Sequence, residues 1–175
     1  MKLFVTGGTG FIGSHFLNHA HAVGHEIIAL RRSNSSKPRI SLEKEPYWLD
    51  KAMDAVRPED FSGSDVLVHL AAHSANVPYD SLENCLYWNT LTAVKLVRTA
   101  ADAGIRRIVV AGSCFEYGEA GNRYEFIPPE APLEPTQSYP ASKAAASIAL
   151  SQLSRELNLK LSIHRIFQVY GEGEA

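Results

Sequence analysis

The chain has 175 residues, a formal net charge of −2 and 45% hydrophobic residues, values typical of one globular domain with a substantial core. This balance provides no basic face for nucleic acid, and no apolar run reaches the roughly 18 residues that a membrane span needs. The N-terminal MKLFVTGG lacks the apolar stretch of a signal peptide, and Cys85 and Cys114 have no metal-ligand spacing. We therefore expect a cytoplasmic protein without a metal site.

Short apolar runs alternate with longer helical patterns along the chain. Strands are predicted over residues 2–7, 25–30, 47–50, 65–72, 106–113 and 159–167. Helices are predicted over residues 11–23, 80–103 and 138–157, and the segments 31–64 and 117–137 are mostly loop. Continuous apolar strands separated by helices predict an α/β fold, with a parallel sheet covered on both faces.

A glycine-rich segment, TGGTGFIG at residues 6–13, lies between the first predicted strand and the first predicted helix. Gly8, Gly10 and Gly13 fit a GxGxxG spacing, and Gly7, Gly10 and Gly13 fit GxxGxxG equally well. A tight turn needs glycine at this place, and the backbone N–H groups of a helix N-terminus bind phosphate. The expected cofactor contacts in this turn are Gly7, Gly10, Phe11, Ile12 and Gly13.

The second predicted strand ends in basic rather than acidic residues. A dinucleotide fold that binds the ribose 2′-hydroxyl of NAD usually carries Asp or Glu here, whereas this chain has Arg31, Arg32 and Ser33. Guanidinium groups bind a 2′-phosphate through charge-assisted hydrogen bonds. NADP is therefore favoured as the cofactor, with NAD as the alternative. It is left open whether one of the two arginines is only a solvated charge in the loop.

A YxxxK spacing opens the last predicted helix. Tyr139 and Lys143 lie one turn apart and share a helix face, and Ser138 is the expected N-cap. A nearby ammonium stabilises a phenolate, so Lys143 is expected to lower the pKa of Tyr139. Ser113 at the end of the fifth predicted strand offers a hydroxyl for a substrate oxygen. The glycine turn, the strand-end serine and this pair, in that order, are more specific than any of them alone.

Taken together, these motifs resemble the extended short-chain dehydrogenase/reductase family, the NAD(P)-dependent epimerases and dehydratases of nucleotide sugars. The matching segments are TGGTGFIG, HLAA (69–72), WNTLTA (88–93), AGSCFEYG (111–118), YPASK (139–143) and HRIFQVYGEG (164–173). The resemblance implies a Rossmann-type doubly wound parallel sheet of order 3-2-1-4-5-6, with residues 1–175 as an NAD(P)-binding domain carrying the Ser/Tyr/Lys set. It also implies that the C-terminal substrate lobe of relatives is absent, so that the isolated chain turns over poorly.

The resemblance implies a role for individual side chains. Ser113 would orient the substrate oxygen, Tyr139 would transfer the proton, and Lys143 would lower the tyrosine pKa and bind the nicotinamide ribose. The further expected cofactor contacts are Arg31, Arg32, Leu70, Ala71, Ala72 and Asn89, with Asp50 matching an aspartate that meets the adenine. The expected substrate contacts are Cys114, Phe115, Glu116 and Gln168, with packing of Glu116 at the strand exit as the open alternative.

The activity that the resemblance implies is narrowed by two departures from it. Cys114 and Phe115 stand where 4,6-dehydratases carry an Asp–Glu pair, so dehydration is not expected. The basic end of the second strand is similar to the NADP-type turn of 4-ketoreductases that complete 6-deoxysugars. We expect 4-keto reduction of a nucleotide-diphosphate sugar by hydride transfer from NADPH, with Tyr139 as proton donor. A sugar-nucleotide 4-epimerase and a non-catalytic NADP-binding module or redox sensor are the alternatives, and a homodimer through the helices at about 80–103 and 138–157 is expected.

Overall fold

The computed structural model describes residues 1–174 and contains six strands and four α-helices. The strands are β1 (Lys2–Thr6), β2 (Glu26–Arg31), β3 (Tyr47–Asp50), β4 (Val66–His69), β5 (Arg107–Ser113) and β6 (Lys160–Ile166). The helices are α1 (Phe11–Ala22), α2 (Leu82–Leu86), α3 (Thr92–Asp102) and α4 (Ser138–Glu156). A π-helical turn, Tyr87–Leu91, joins α2 to α3, so the single helix predicted over 80–103 is present with one widened turn in its middle.

All six strands are parallel, and the sheet order is β3-β2-β1-β4-β5-β6. The strand order implied by the family resemblance is therefore confirmed. β1 pairs with β2 on one side and with β4 on the other. The first three strands therefore extend the sheet in one direction from β1, and the last three extend it in the opposite direction. In sheets of this kind, ligands bind beside the carboxyl ends of the strands at the reversal. Thr6, His69 and Ser113 end their strands at this edge.

The sheet is covered on both faces, as the apolar strands predict. The β1 side chains alternate: Phe4 joins the cluster formed with α3 and α4, whereas Leu3 and Val5 join the cluster formed with Leu17 of α1. Both clusters are almost completely shielded from solvent. This packing fixes α4 against β5 and α1 against β1, the two placements on which the site depends.

Two local predictions differ from the structure. β4 ends at His69 rather than at residue 72, because its partner β1 ends at Thr6, whose carbonyl accepts the last ladder hydrogen bond, from the N–H of Leu70 (3.1 Å). The N-cap of α4 is Gln137 rather than Ser138, whose hydroxyl donates to the Asp80 carbonyl (2.7 Å). Among residues 1–174, no helix is long and apolar enough to span a membrane.

Candidate active site

The glycine turn packs so closely that side chains are excluded at two positions. Gly7 has a φ of +77°, and a Cβ there would lie 2.5 Å from the backbone nitrogen of Ala71. At Gly13 a Cβ would lie 1.9 Å from the carbonyl oxygen of Gly7. At Gly8 the nearest atom is the flexible tip of Leu17 at 3.0 Å, which can shift. The structure therefore favours Gly7, Gly10 and Gly13, the GxxGxxG spacing, over the alternative that uses Gly8.

The turn leaves a backbone cradle at the start of α1. The N–H of Gly10 donates to the carbonyl of Gly7 (3.0 Å), and Gly10 caps the helix without a side chain. The predicted contacts Phe11 and Ile12 open the helix, where backbone N–H groups have no intrahelical acceptor. A pyrophosphate fits these N–H donors at the helix N-terminus, and the close packing of Gly7 and Gly13 on neighbouring backbone holds the turn that presents them.

The loop after β4 lies against the same turn. Ala71 donates its N–H to the Thr6 hydroxyl (3.4 Å), which also shares a hydrogen bond with Nδ1 of His69 (2.7 Å). Burial lowers the pKa of His69 to about 3, with the nearby Lys143 ammonium acting in the same direction. His69 is therefore a neutral structural imidazole. Of the predicted cofactor contacts Leu70, Ala71 and Ala72, the backbone of the first two lies beside Gly7, and their contact with a cofactor stays a prediction.

The two arginines predicted to bind a 2′-phosphate have different surroundings. Arg31 donates from Nε to the carboxylate of Asp50 and stacks over the Trp48 ring at 4.9 Å. Asp50, expected to meet the adenine, is thus engaged by an arginine of the neighbouring strand. Arg32 is exposed at the start of the loop after β2. Of the predicted pair, Arg32 is the cation available to a ligand, because Arg31 is already paired with the carboxylate of Asp50.

The catalytic triad predicted from the sequence is brought together between β5 and α4. Ser113, Tyr139 and Lys143 are all buried, and the Ser113 hydroxyl acts to lower the pKa of the Tyr139 phenol. The ammonium of Lys143 donates to the carbonyl of Ala111 on β5 (2.7 Å). The three side chains therefore meet at the edge of the sheet where β1 and β4 end.

The expected lowering of the tyrosine pKa is wrong for this structure. Burial raises the pKa of Tyr139 to about 12, and the nearby Ser113 hydroxyl only partly opposes this effect. Burial lowers the pKa of Lys143 to about 8, because its ammonium is also removed from water. Tyr139 is therefore a neutral phenol at neutral pH, the form that donates a proton.

Tyr79 is a site residue that the sequence did not indicate. Its ring lies 5.4 Å from the ring of Tyr139, tilted by 31°. It belongs to the segment between β4 and α2, which Ser138 attaches to α4 through the carbonyl of Asp80 (2.7 Å). In the same segment His73 donates to the exposed carboxylate of Asp80 (2.8 Å), and this hydrogen bond lowers the pKa of Asp80. No spacing relates Tyr79 to Tyr139, so only the folded chain reveals the contact.

Asn89 was expected to contact the cofactor, but its amide is used by the protein. Its Nδ2 donates to the carbonyl of His73 (3.0 Å) and to the hydroxyl of Ser142 (2.9 Å). Its Oδ1 accepts the N–H of His73 (2.7 Å). The side chain is buried in the π-helical turn. Asn89 thus links the loop after β4, through His73, to α4, through Ser142.

The four expected substrate contacts separate into exposed and buried groups. Phe115 is 54% exposed, and Gln168 is also exposed. Cys114 is half-buried, and burial raises the pKa of its thiol, which makes it a poor nucleophile at neutral pH. Glu116 is 0% exposed, so the expectation that it lines the substrate surface is corrected: its carboxylate points into the protein. The described residues 1–174 contain no cluster of three or more metal-ligating side chains.

A six-stranded parallel sheet of order 3-2-1-4-5-6, with a glycine-rich turn at its reversal point, defines a Rossmann-like α/β fold. More narrowly, the chain belongs to the NAD dependent epimerase/dehydratase family, whose profile matches residues 3–175. The family resemblance drawn from the motifs is therefore confirmed. The nucleotide-sugar epimerases and dehydratases of the extended short-chain dehydrogenase/reductase type are its relatives.

Individual relatives cover the chain well but extend beyond the matched part. The UDP-glucose 4-epimerase of Streptomyces lividans is 30% identical over 157 residues, which is 82% of this chain and 45% of the relative. That of Corynebacterium glutamicum is 27% identical over 178 residues, or 98% of this chain and 52% of the relative. The solved structure of TunA, an NAD-dependent NDP-hexosamine 5,6-dehydratase involved in tunicamycin biosynthesis, matches with a TM-score of 0.89 and 29% identity, over 100% of this chain and 57% of that one. The chain spans about half the length of these relatives.

Proposed function

We propose that residues 1–175 form the cofactor-binding and catalytic part of an NADPH-dependent oxidoreductase that reduces the 4-keto group of a nucleotide-diphosphate sugar. The observation that carries this proposal is the placement of Tyr139 and Lys143, buried one helical turn apart on α4, beside Ser113 at the carboxyl edge of the sheet. A ketone needs a proton on its oxygen as hydride reaches its carbon, and a phenol with a pKa of about 12 retains its proton for that purpose.

The residues divide the reduction between them. The Ser113 hydroxyl orients the carbonyl oxygen, and Tyr139 donates its proton to that oxygen. NADPH, when bound, would supply the hydride for C4; together with the proton from Tyr139 this turns the ketone into an alcohol and the tyrosine into a phenolate. The ammonium of Lys143, four residues away on the same helix face, stabilises that phenolate until a proton returns from solvent.

The choice of NADPH rests on the loop after β2. Arg32 is exposed there, and no carboxylate ends β2, where one would repel a 2′-phosphate. TunA is described as NAD dependent, and NAD is the alternative cofactor. Fluorescence titration with NADPH and with NADH tests the choice directly. NADPH should bind more tightly, and tighter binding of NADH would overturn the assignment.

A 4-epimerase is the second candidate, favoured by the names of the Streptomyces and Corynebacterium relatives. The same three side chains would then remove and return the proton of the 4-hydroxyl, while a bound NAD(P) would accept and return the hydride of C4, without net consumption of cofactor. Two assays distinguish the functions. In the first, a nucleotide-diphosphate 4-keto-6-deoxysugar is incubated with NADPH and the absorbance of NADPH is followed; in the second, UDP-glucose replaces the keto sugar and the formation of UDP-galactose is measured. Oxidation of NADPH that requires Tyr139 supports reduction. Interconversion of UDP-glucose and UDP-galactose without oxidation of NADPH supports epimerisation.

We also infer a homodimer through the α2–α3 segment and α4. Leu91 and Ile148 are 62% and 63% exposed on these helices, although both are large apolar side chains. Light scattering coupled to size-exclusion chromatography measures the mass of the species in solution. A dimer that a charge at these positions dissociates supports the inference, and a monomer at all concentrations contradicts it.

A further inference from the structure

Glu116 is a fully buried carboxylate that the reaction above does not use. Its Oε1 accepts the backbone N–H of Ser113 (2.8 Å), and its Oε2 accepts the hydroxyl of Ser147 (2.7 Å) and Nε of Arg165 (2.9 Å). These donors come from the end of β5, from α4 and from β6. An ionised carboxylate accepts at both oxygens, and so satisfies all three donors at once.

The strand end that carries Ser113 is shaped around this carboxylate. The Ser113 hydroxyl accepts the N–H of Phe115 (3.2 Å) while Glu116 accepts the N–H of Ser113, so the two residues cap the turn reciprocally. A Cβ at Gly112 would lie 2.8 Å from Oε1 of Glu116. Glycine at that position therefore leaves space for the carboxylate, and the Ser113 hydroxyl has a defined direction.

Through Ser147 the same carboxylate reaches the catalytic face of α4. Tyr139, Lys143 and Ser147 follow one another at intervals of four residues, which places them on one face of the helix. Arg165 on β6 is itself held in place, because its guanidinium also donates to the hydroxyl of Tyr117 (3.0 Å) and to the carbonyl of Pro129 (2.9 Å). Glu116 thus connects the serine of the site to the helix of the tyrosine and lysine.

The charge of Glu116 also acts on Lys143. Burial lowers the pKa of Lys143 to about 8, and the negative charge of Glu116 opposes that effect. The other titratable or charged groups around this cluster are His69 on β4, Tyr139 on α4, Cys114 after β5, Arg165 on β6, and Tyr79 and the His73–Asp80 pair on the loop before α2. The pKa is about 3 for His69 and about 12 for Tyr139, and it is raised for Cys114 and Arg165. Within the buried cluster, Lys143 is the group that titrates in mildly alkaline solution.

We propose that Glu116 is a positioning residue, which fixes Ser113 relative to the catalytic face of α4 and keeps the buried Lys143 charged. This inference rests on the proposed function, because it assigns Lys143 a role toward the cofactor. The substitution that separates charge from shape is Glu116→Gln, since the amide has the size of the carboxylate and lacks its charge.

The readout is the pH dependence of NADPH binding, measured by nucleotide fluorescence on the folded chain. In the wild type, affinity falls as the pH rises through about 8, because Lys143 loses the ammonium that binds the ribose. In Glu116→Gln, the fall shifts to lower pH by about one unit or more, since the charge that stabilises the ammonium is gone. The exposed Glu130 provides the matched control, and Glu130→Gln leaves the profile unchanged.

A second variant gives a shift of opposite sign. In Arg165→Gln, the amide nitrogen takes the place of Nε and can still donate to Glu116, while the cation is removed. The uncompensated carboxylate then favours the Lys143 ammonium more strongly, so the fall in affinity moves to higher pH. A purely structural role predicts losses of thermal stability in both variants and no shift in either profile.

The outcomes separate this inference from the proposed function. In one outcome, the affinity of the wild type for NADPH falls near pH 8, and both variants show the same pH profile of affinity as the wild type. This result overturns the positioning role and leaves the proposed function intact. Wild-type protein that binds neither NADPH nor NADH at any pH overturns the proposed function and this inference with it. If Glu116→Gln does not fold, the Arg165→Gln profile decides, and a shift to lower pH or no shift contradicts the proposal.

Discussion

Gly13→Ala tests the close contact between the glycine turn and α1. The added Cβ would lie 1.9 Å from the carbonyl oxygen of Gly7, 2.7 Å from its carbonyl carbon and 2.9 Å from Cα of Gly8. All three are backbone atoms, so the turn must open to accommodate the methyl group. Helix propensity alone would make alanine about 1 kcal/mol more stable than glycine inside α1. The clash reverses the sign, and overpacking of this kind costs about 3 kcal/mol.

Thermal unfolding and NADPH fluorescence together measure this effect. A loss of about 3 kcal/mol lowers the melting temperature of a domain of this size by roughly 6–12 °C. The affinity for NADPH falls at least about tenfold, because the start of α1 moves away from the pyrophosphate. Gly24→Ala is the matched control: Gly24 has a φ of +83° but nothing within 4 Å of its added Cβ. That variant loses about 1–2 kcal/mol from its left-handed backbone and retains wild-type affinity. A Gly13→Ala protein that is as stable as the wild type and binds NADPH equally well would refute the reasoning.

Four further predictions concern the site, its cofactor and the assembly. Tyr139→Phe should retain NADPH affinity and lower the rate of reduction by about 10²–10⁴-fold, because only the proton donor is removed; a rate within twofold of wild type would contradict this. Arg32→Glu should weaken NADPH binding by roughly 10–100-fold and leave NADH binding unchanged, and an equal effect on both nucleotides would exclude a 2′-phosphate contact. The pKa of His69 is lowered to about 3 from 6.5, so the unfolded chain takes up its proton first, and the free energy of unfolding should fall by up to about 5 kcal/mol as the pH drops through this range. His69→Asn should flatten that part of the urea-denaturation profile, and an unchanged slope would argue against a buried neutral histidine. Leu91→Arg should convert the dimer to a monomer in light scattering, whereas Glu130→Arg at an exposed loop position should not.

The sheet could be predicted from the sequence because its signals are local. Each strand is a short apolar run between helical patterns, and Phe4 and Val5 belong to opposite core clusters because strand side chains alternate. The order of the strands came from the resemblance to a family, since periodicity alone does not distinguish topologies. The boundary at His69 was missed because Leu70 and Ala71 are as apolar as the strand before them.

The site was less predictable where a long-range contact decides the role of a side chain. The motifs and their order along the chain predicted that Ser113, Tyr139 and Lys143 share one site. It did not reveal that Arg31 is engaged by Asp50, because these residues are 19 positions apart and meet only through the pairing of β2 with β3. For the same reason the burial of Tyr139, which raises its pKa, is a property of the folded chain.

The two arginines also show how long-range contacts separate residues that a local pattern treats alike. The basic end of β2 predicted cations for a 2′-phosphate, and of the two only Arg32 is exposed. Arg31 instead lies over Trp48 and pairs with Asp50, a contact that stabilises the edge of the sheet. Glu116 is the converse case, since a polar residue in a site motif proves to be part of the interior.

The most direct test of the proposed reduction is a single-turnover experiment with NADPH deuterated at the transferred position of the nicotinamide. The protein is kept in excess over a nucleotide-diphosphate 4-keto-6-deoxysugar, and the sugar is analysed by mass spectrometry and NMR. The proposed function predicts one deuterium bonded to C4 of the product, together with its absence in Tyr139→Phe. A sugar recovered without deuterium from wild-type protein that binds NADPH would contradict it.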